Sequence, residues 1–203
     1  MKTRDLIVTT AERLFALHGV AAVSNRQISE AAGQGNNSVI AYHFGSRADL
    51  MRAIVRPHNL DIEQRRLDLI AAGTLPDTLA GWAACLVRPI TGHFAGLGPH
   101  SWYARFAAQV ITDPVLREVI TEEALSTPST QLTLQEITLR TPALPPVVQR
   151  QRTDMTRLLV VHMCAELERA LHDGTAEVGW PETADALIDA LTGLWTAPVT
   201  TPR

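Results

Sequence analysis

The sequence predicts an all-α chain, a three-helix head at the N-terminus followed by a larger helical body. Three observations predict it. Apolar residues recur at helical spacing along most of the 203 residues. Capping residues and glycines fall at the ends of these periodic stretches. Nothing reads as a strand hairpin, an internal repeat or a low-complexity tract.

In order, residues 3–18 place Ile7, Ala11, Leu14, Phe15 and His18 on one stripe, and Gly19 stops the helix. Ser24-Asn25-Arg26-Gln27 reads as a capping box that starts a second helix, with Ile28, Ala31 and Ala32 inward and Gly33 at its end. The segment GQGNN is turn chemistry, and a short helix is expected over about residues 37–43. Ser46 should cap a long helix through Leu50, Ile54, Ile62 and Leu69. Pro57 lies inside it, where the missing donor and the clash with the carbonyl four residues earlier predict a kink. Next come a buried helix from about residue 75, a loop at Pro89 and GHFAGLGPH, and a helix near 99–111. Asp113-Pro114 starts a further helix that Pro128 interrupts or restarts, and TPALPP at 141–146 is a linker. A long helix at about 146–172 stops at Gly174, and a last one, roughly 181–197, begins at Pro181 and ends at Pro198.

Composition excludes several classes. Apolar residues make up 46%, which rules out wholesale disorder. Cys85 and Cys164 are a lone, distant pair outside any CxxC, so neither a disulfide scaffold nor a structural zinc site is expected. They read as small buried hydrophobes. No run of 18 apolar residues occurs, and Glu12 and Arg13 interrupt the N-terminal apolar residues, so the expected compartment is the cytoplasm. The net charge of −3 conceals an asymmetry: residues 1–60 carry seven Lys and Arg against four acids, which leaves 11 against 17 for the rest. A basic head on an acidic body points to an anionic partner for the head.

Helix, glycine-containing turn and short helix is the pattern of helix-turn-helix DNA binding. A helix that enters the major groove must carry groups that bond base edges, and Asn36, Asn37 and Ser38 are such groups. Arg26, in the first turn of the second helix, and Arg47, just past the short helix, are placed to meet phosphates with Tyr42 and His43. Val39, Ile40 and Phe44 would face inward onto Phe15 and Ile28. By pattern alone, an ordinary helical hairpin with polar turn residues accounts for the segment equally well.

The ordered set Ile7, Ala11, Leu14-Phe15, Gly19, Val23-Ser24, Arg26, Ile28, Ala31-Ala32-Gly33, Tyr42-His43-Phe44-Gly45-Ser46-Arg47 and Leu50 resembles the TetR family of bacterial transcriptional regulators. The resemblance covers about 45 residues. It implies an all-helical homodimer whose first three helices, residues 1–46, bind DNA. Residues 47–203 would bind a small effector and dimerise. The expected role is a repressor released by that effector. Two residues depart from the family pattern: Ala41 stands where an aromatic is frequent, and Arg47 where Lys is common. The stretch from Gly33 to His43 is also one residue longer than in many relatives, which shifts the recognition-helix register by up to one residue.

In the body, the 158–165 run is apolar around the whole helix and must be covered on all sides, one side by a second subunit. Met155, Leu158, Leu159, His162, Leu187, Leu191, Leu194 and Trp195 are the candidate dimer residues. A monomer core is the alternative. Trp82, His93, Phe94, His100, Trp102, Tyr103 and Phe106 are candidates for a pocket taking an apolar or aromatic effector, against plain core packing. No paired Glu-x-x-His, GxSxG, P-loop or GxGxxG occurs, so neither catalytic residues, nor a metal, nor a cofactor is expected. A regulator controlled by a protein partner is the second reading, and a helical enzyme a distant third. Pro57 is either the hinge through which an effector would move the head or merely a bend of the helix around the core.

Overall fold

The computed structural model describes residues 3–36, 38–75 and 77–200. Among these, the regular elements are ten helices: α1 (Thr3–His18), α2 (Asn25–Ala31), α3 (Val39–Phe44), α4 (Arg47–Ala71), α5 (Leu79–Leu97), α6 (Tyr103–Val110), α7 (Pro114–Leu125), α8 (Pro128–Arg140), α9 (Pro146–Asp173) and α10 (Trp180–Thr196). None is long and apolar enough to cross a membrane.

In the head, local chemistry sets the helix ends. The Gln27 amide donates to Ser24 Oγ at 3.2 Å, and the Ser24 amide donates to Gln27 Oε1 at 2.8 Å, completing the capping box. Gly33 follows with φ +67°, a left-handed conformation that a side chain would strain. Ser46 Oγ accepts from the Asp49 amide at 3.1 Å and opens α4. Ile7, Ala11, Phe15, Ile28, Ile40 and Phe44 are buried in one core. Leu14 is half-buried and His18 is exposed, so the buried stripe of α1 is narrower than expected.

The helix α4 leaves the head and continues through Pro57 for 25 residues, packing on α5 and α7. At the centre of the body, α5 contacts α4, α8 and α10, while α6 lies between α1 and α9. The loop expected at Pro89 and GHFAGLGPH is instead the second half of α5. Two contacts explain this. Pro89 has no amide to offer the Cys85 carbonyl four residues earlier, and the buried Arg66 Nε donates to that oxygen at 3.2 Å. A Cβ on Gly92 would lie 3.6 Å from one terminal nitrogen of Arg65, and a Cβ on Gly96 3.3 Å from the other. Gly96 gives the crossing Arg65 of α4 its room, a Cβ at Gly92 would make an ordinary contact, and neither glycine breaks the helix.

Charged groups are buried inside the body as well. Glu168 of α9 is 1% exposed. It accepts from the Ala104 and Arg105 amides at 3.1 and 2.9 Å, and from Arg105 Nε at 3.0 Å, so it caps α6 from another helix. Arg152 donates to the Trp195 and Ala197 carbonyls at 2.9 and 2.6 Å and closes the end of α10. Cys85 and Cys164 are both free and buried; burial pushes the Cys164 thiol up to about 12.

Candidate functional site

A short helix can present only one side to a ligand if the other is held by the core. In α3, Ile40 and Phe44 are held in this way, which turns Tyr42 outward at 84% exposure. The His43 ring meets Tyr42 edge-on, with centroids 5.1 Å apart. Asn36 and Ser38 are exposed at the start of the same helix. Asn36 Oδ1 accepts from the Ser38 amide at 2.9 Å and from its hydroxyl at 2.7 Å, so this Asn also shapes the turn into α3. Asn37 lies outside the described residues. Arg26 is exposed on α2, and its Nε donates to Glu30 at 2.7 Å.

Arg47 is oriented differently from the expectation. Its side chain turns inward: one terminal nitrogen donates to the Val20 carbonyl and, at 2.8 Å, to the Val23 carbonyl. The guanidinium carbon lies 4.9 Å from the Phe15 ring centroid. Burial lowers its pKa, opposed by the nearby Asp113. In this arrangement Arg47 fastens the α1–α2 turn to the start of α4, because those two carbonyls follow the end of α1 without helical partners.

The body residues expected to line one pocket fall into three places. His93, Phe94, Tyr103 and Phe106 are buried and touch one another in the core, with Phe94–Tyr103 and Tyr103–Phe106 centroids 6.0 and 5.9 Å apart. His100 and Trp102 gather around His172, with centroids 5.6 and 4.8 Å from it. Trp82 lies at the far end of α5, where Arg140 sits 5.5 Å over its ring. The separation follows from α5 being one helix: eleven residues from Trp82 to His93 span about 16 Å. Trp82 lines an apolar hollow of about 190 Å³ with Leu69, Ile70 and Leu75.

Of the candidate dimer residues, Met155, Leu158 and His162 are exposed on α9, and Leu159 and Leu194 are half-buried. Leu187, Leu191 and Trp195 are buried within the chain, where α10 packs on α5 and α9. The outward side of α10 carries the small residues Ala186, Ala190 and Gly193 instead.

Two groups carry no signal in the sequence. Arg4 lies 5.0 Å over the Phe44 ring and shares a cleft of about 370 Å³ with His43, Arg52 and Arg56. A hydrogen-bonded chain runs Glu12–His58–His93–Asp61 across α1, α4 and α5. In the sequence His93 reads only as one more ring of the aromatic cluster, and the other three belong to no motif.

Residues 7–54 match the model of the bacterial regulatory proteins of the tetR family. No curated protein matches the chain. Among solved structures, the chain is similar to the multidrug binding protein EbrR complexed with imidazole, at 21% identity over 98% of both chains and a TM-score of 0.52. It is also similar to a TetR-family transcriptional regulator, PfmR, from Thermus thermophilus, at 14% identity over 99% of this chain and 100% of that one, TM-score 0.52. A regulator assigned to the same family from Mesorhizobium loti has 16% identity over 96% and 97%, TM-score 0.51. At these identities the structural likeness establishes the fold.

Proposed function

We propose that the chain, whose N-terminal head places it among the TetR-family transcriptional regulators, acts as a repressor that binds a near-palindromic operator as a homodimer. The observation that carries the reading is α3: a short helix held by Ile40 and Phe44 that leaves Tyr42, Asn36 and Ser38 exposed on a basic head. The head ends at Ser46, and α4 joins it to the body. Tyr42, His43, Arg26 and Arg4 meet phosphates, while Asn36, Asn37 and Ser38 lie nearest the bases. The dimer forms through the exposed side of α9, with Met155, Leu158 and His162, against the small-residue side of α10. A two-fold dimer then presents two heads about one helical turn apart, roughly 34–36 Å, or a multiple of it.

The effector is a small apolar or aromatic molecule taken by the body, with the hollow beside Trp82 as its point of contact. It acts through α4, with the segment after Pro57 moving the head. Selection of bound duplexes from a random pool tests the operator claim. A two-fold symmetric motif is expected. Enrichment of no motif, or of a strictly asymmetric one, would count against the dimeric repressor.

A further inference from the structure

Glu12, His58 and His93 are largely buried and Asp61 is open to solvent on one side, and the four side chains join head to body through three contacts. His93 Nδ1 lies 2.7 Å from Asp61 Oδ2, His58 Nδ1 lies 2.8 Å from His93 Nε2, and His58 Nε2 lies 3.3 Å from Glu12 Oε2. Each contact needs one hydrogen between its two heavy atoms. Three contacts need three protons, whereas two neutral imidazoles supply two. With both carboxylates ionised, the whole chain is satisfied only with one proton more. An imidazole is more basic than a carboxylate, so the proton goes to one of the two rings, and either placement fills all three contacts. The surroundings favour His58, which then donates to His93 from Nδ1 and to Glu12 from Nε2, while His93 stays neutral and donates from Nδ1 to Asp61.

The surroundings fit this assignment. Burial lowers the pKa of His93, and the adjacent His58 charge lowers it further, against the opposing pull of Asp61. Tyr103 of α6 stacks on His58 with centroids 3.5 Å apart, offering a ring face to a cation. The other charged groups that face the chain are Asp5 and Arg4 of α1, in the cleft that His58 lines, and Arg65 of α4, paired with Asp61.

We propose that Glu12, His58, His93 and Asp61 form a proton-loaded latch between the DNA-reading head and the body, closed only in the state with one imidazolium. Loss of that proton leaves one contact without a hydrogen; with His93 Nδ1–H held by Asp61, the bare His58 Nε2 lone pair meets the Glu12 carboxylate and the α1–α4 contact opens. Gain of a second sets two N–H groups against each other across the 2.8 Å His58–His93 contact. Either change loosens α1, which packs on α2 and carries Arg4 over the Phe44 ring of α3. Operator affinity therefore passes through a maximum with pH. The acid limb lies below the ordinary imidazole value of 6.5, because burial lowers His93.

The latch rests on the repressor reading only where operator affinity is the readout. The test titrates wild type, Glu12→Gln and His58→Phe with the selected operator duplex from about pH 5 to about pH 9, each affinity divided by that for an unrelated duplex. In wild type the ratio should fall about fivefold or more on both sides of a maximum, the low end of ordinary allosteric coupling. In Glu12→Gln the amide donates to the bare His58 Nε2, so the alkaline limb should vanish and the acid limb remain. His43 on α3 is the same in both proteins, so their difference isolates the latch. His58→Phe keeps the ring on Tyr103 and should flatten the profile. Imidazole ¹⁵N spectra of the DNA-free protein at the maximum should show both His58 nitrogens protonated and only Nδ1 of His93.

A flat wild-type ratio, a Glu12→Gln profile identical to wild type, or a bare His58 Nε2 at the maximum would overturn the latch. If no duplex is selected, the repressor reading fails, and the ¹⁵N titration decides the latch alone.

Discussion

The head and the body solve the same problem, how to end a helix inside a packed protein, in different ways. In the head, Ser24 and Ser46 cap α2 and α4 from within three residues. In the body, Thr78 and Asp113 cap α5 and α7 locally, but Glu168 caps α6 from 63 residues away, and Arg152 closes α10 from 43. A local cap is made as soon as the chain turns, and its loss frays one end. A distant buried charge holds two helices together, and its removal strands a charged partner away from water. The head's helix ends are thereby set within its own segments, while the body is also cross-linked through its interior, and α1 joins the two by packing on α6.

The largest expected effect comes from breaking the body's device. Glu168→Ala leaves Arg105 and two amides of α6 without their acceptor, at a cost of about 3–5 kcal/mol, the range for breaking a buried pair. Urea unfolding monitored by circular dichroism measures it; a loss under about 1 kcal/mol would mean that water replaces the carboxylate.

Arg47 sharpens the comparison, because it brings a long-range fastener into the head. Arg47→Ala should destabilise by about 1–3 kcal/mol, the cost of leaving buried carbonyls without donors. Amide exchange should rise first around residues 20–24. Unchanged protection there, with operator affinity lowered equally for every duplex and the salt slope reduced by about one, would return Arg47 to the phosphate role that its position in the sequence suggests.

The smallest effect on stability belongs to the exposed tip. Tyr42→Ala should change the melting free energy by no more than about 0.5 kcal/mol, as for surface substitutions generally. Operator affinity should nevertheless drop. Wild-type operator affinity in this variant would remove Tyr42 from the interface and shift the register of α3.

Helix boundaries in the head are readable because each depends on residues within three or four positions: Ser24 with Gln27, Ser46 with Asp49, Gly33 at positive φ. The inward side of α3 is readable for the same reason, since Ile40 and Phe44 repeat at the helical period. The body is less legible. Pro89 and the glycines after it carry loop chemistry by themselves, yet lie in a helix that packs on α4, α8 and α10, with Arg66 taking up the carbonyl that Pro89 leaves open. The aromatic residues are plain in the sequence, yet a helix spreads them along its length, so nearness in sequence does not bring Trp82 to Phe94. Leu187, Leu191 and Trp195 fit an interface stripe and a core stripe equally, and α5 decides for the core.

What the sequence determined by itself, then, is the all-helical character, the caps, and the head whose ordered residues resemble one family. These follow from short-range periodicity and hydrogen bonding along a single chain segment. The tertiary structure alone decided that Arg47 turns inward, that Glu168 serves α6, and that Glu12, His58, His93 and Asp61 meet. Those groups come from helices up to 81 positions apart along the sequence. Their meeting depends on how the helices cross, and no residue in the chain encodes that crossing without the others.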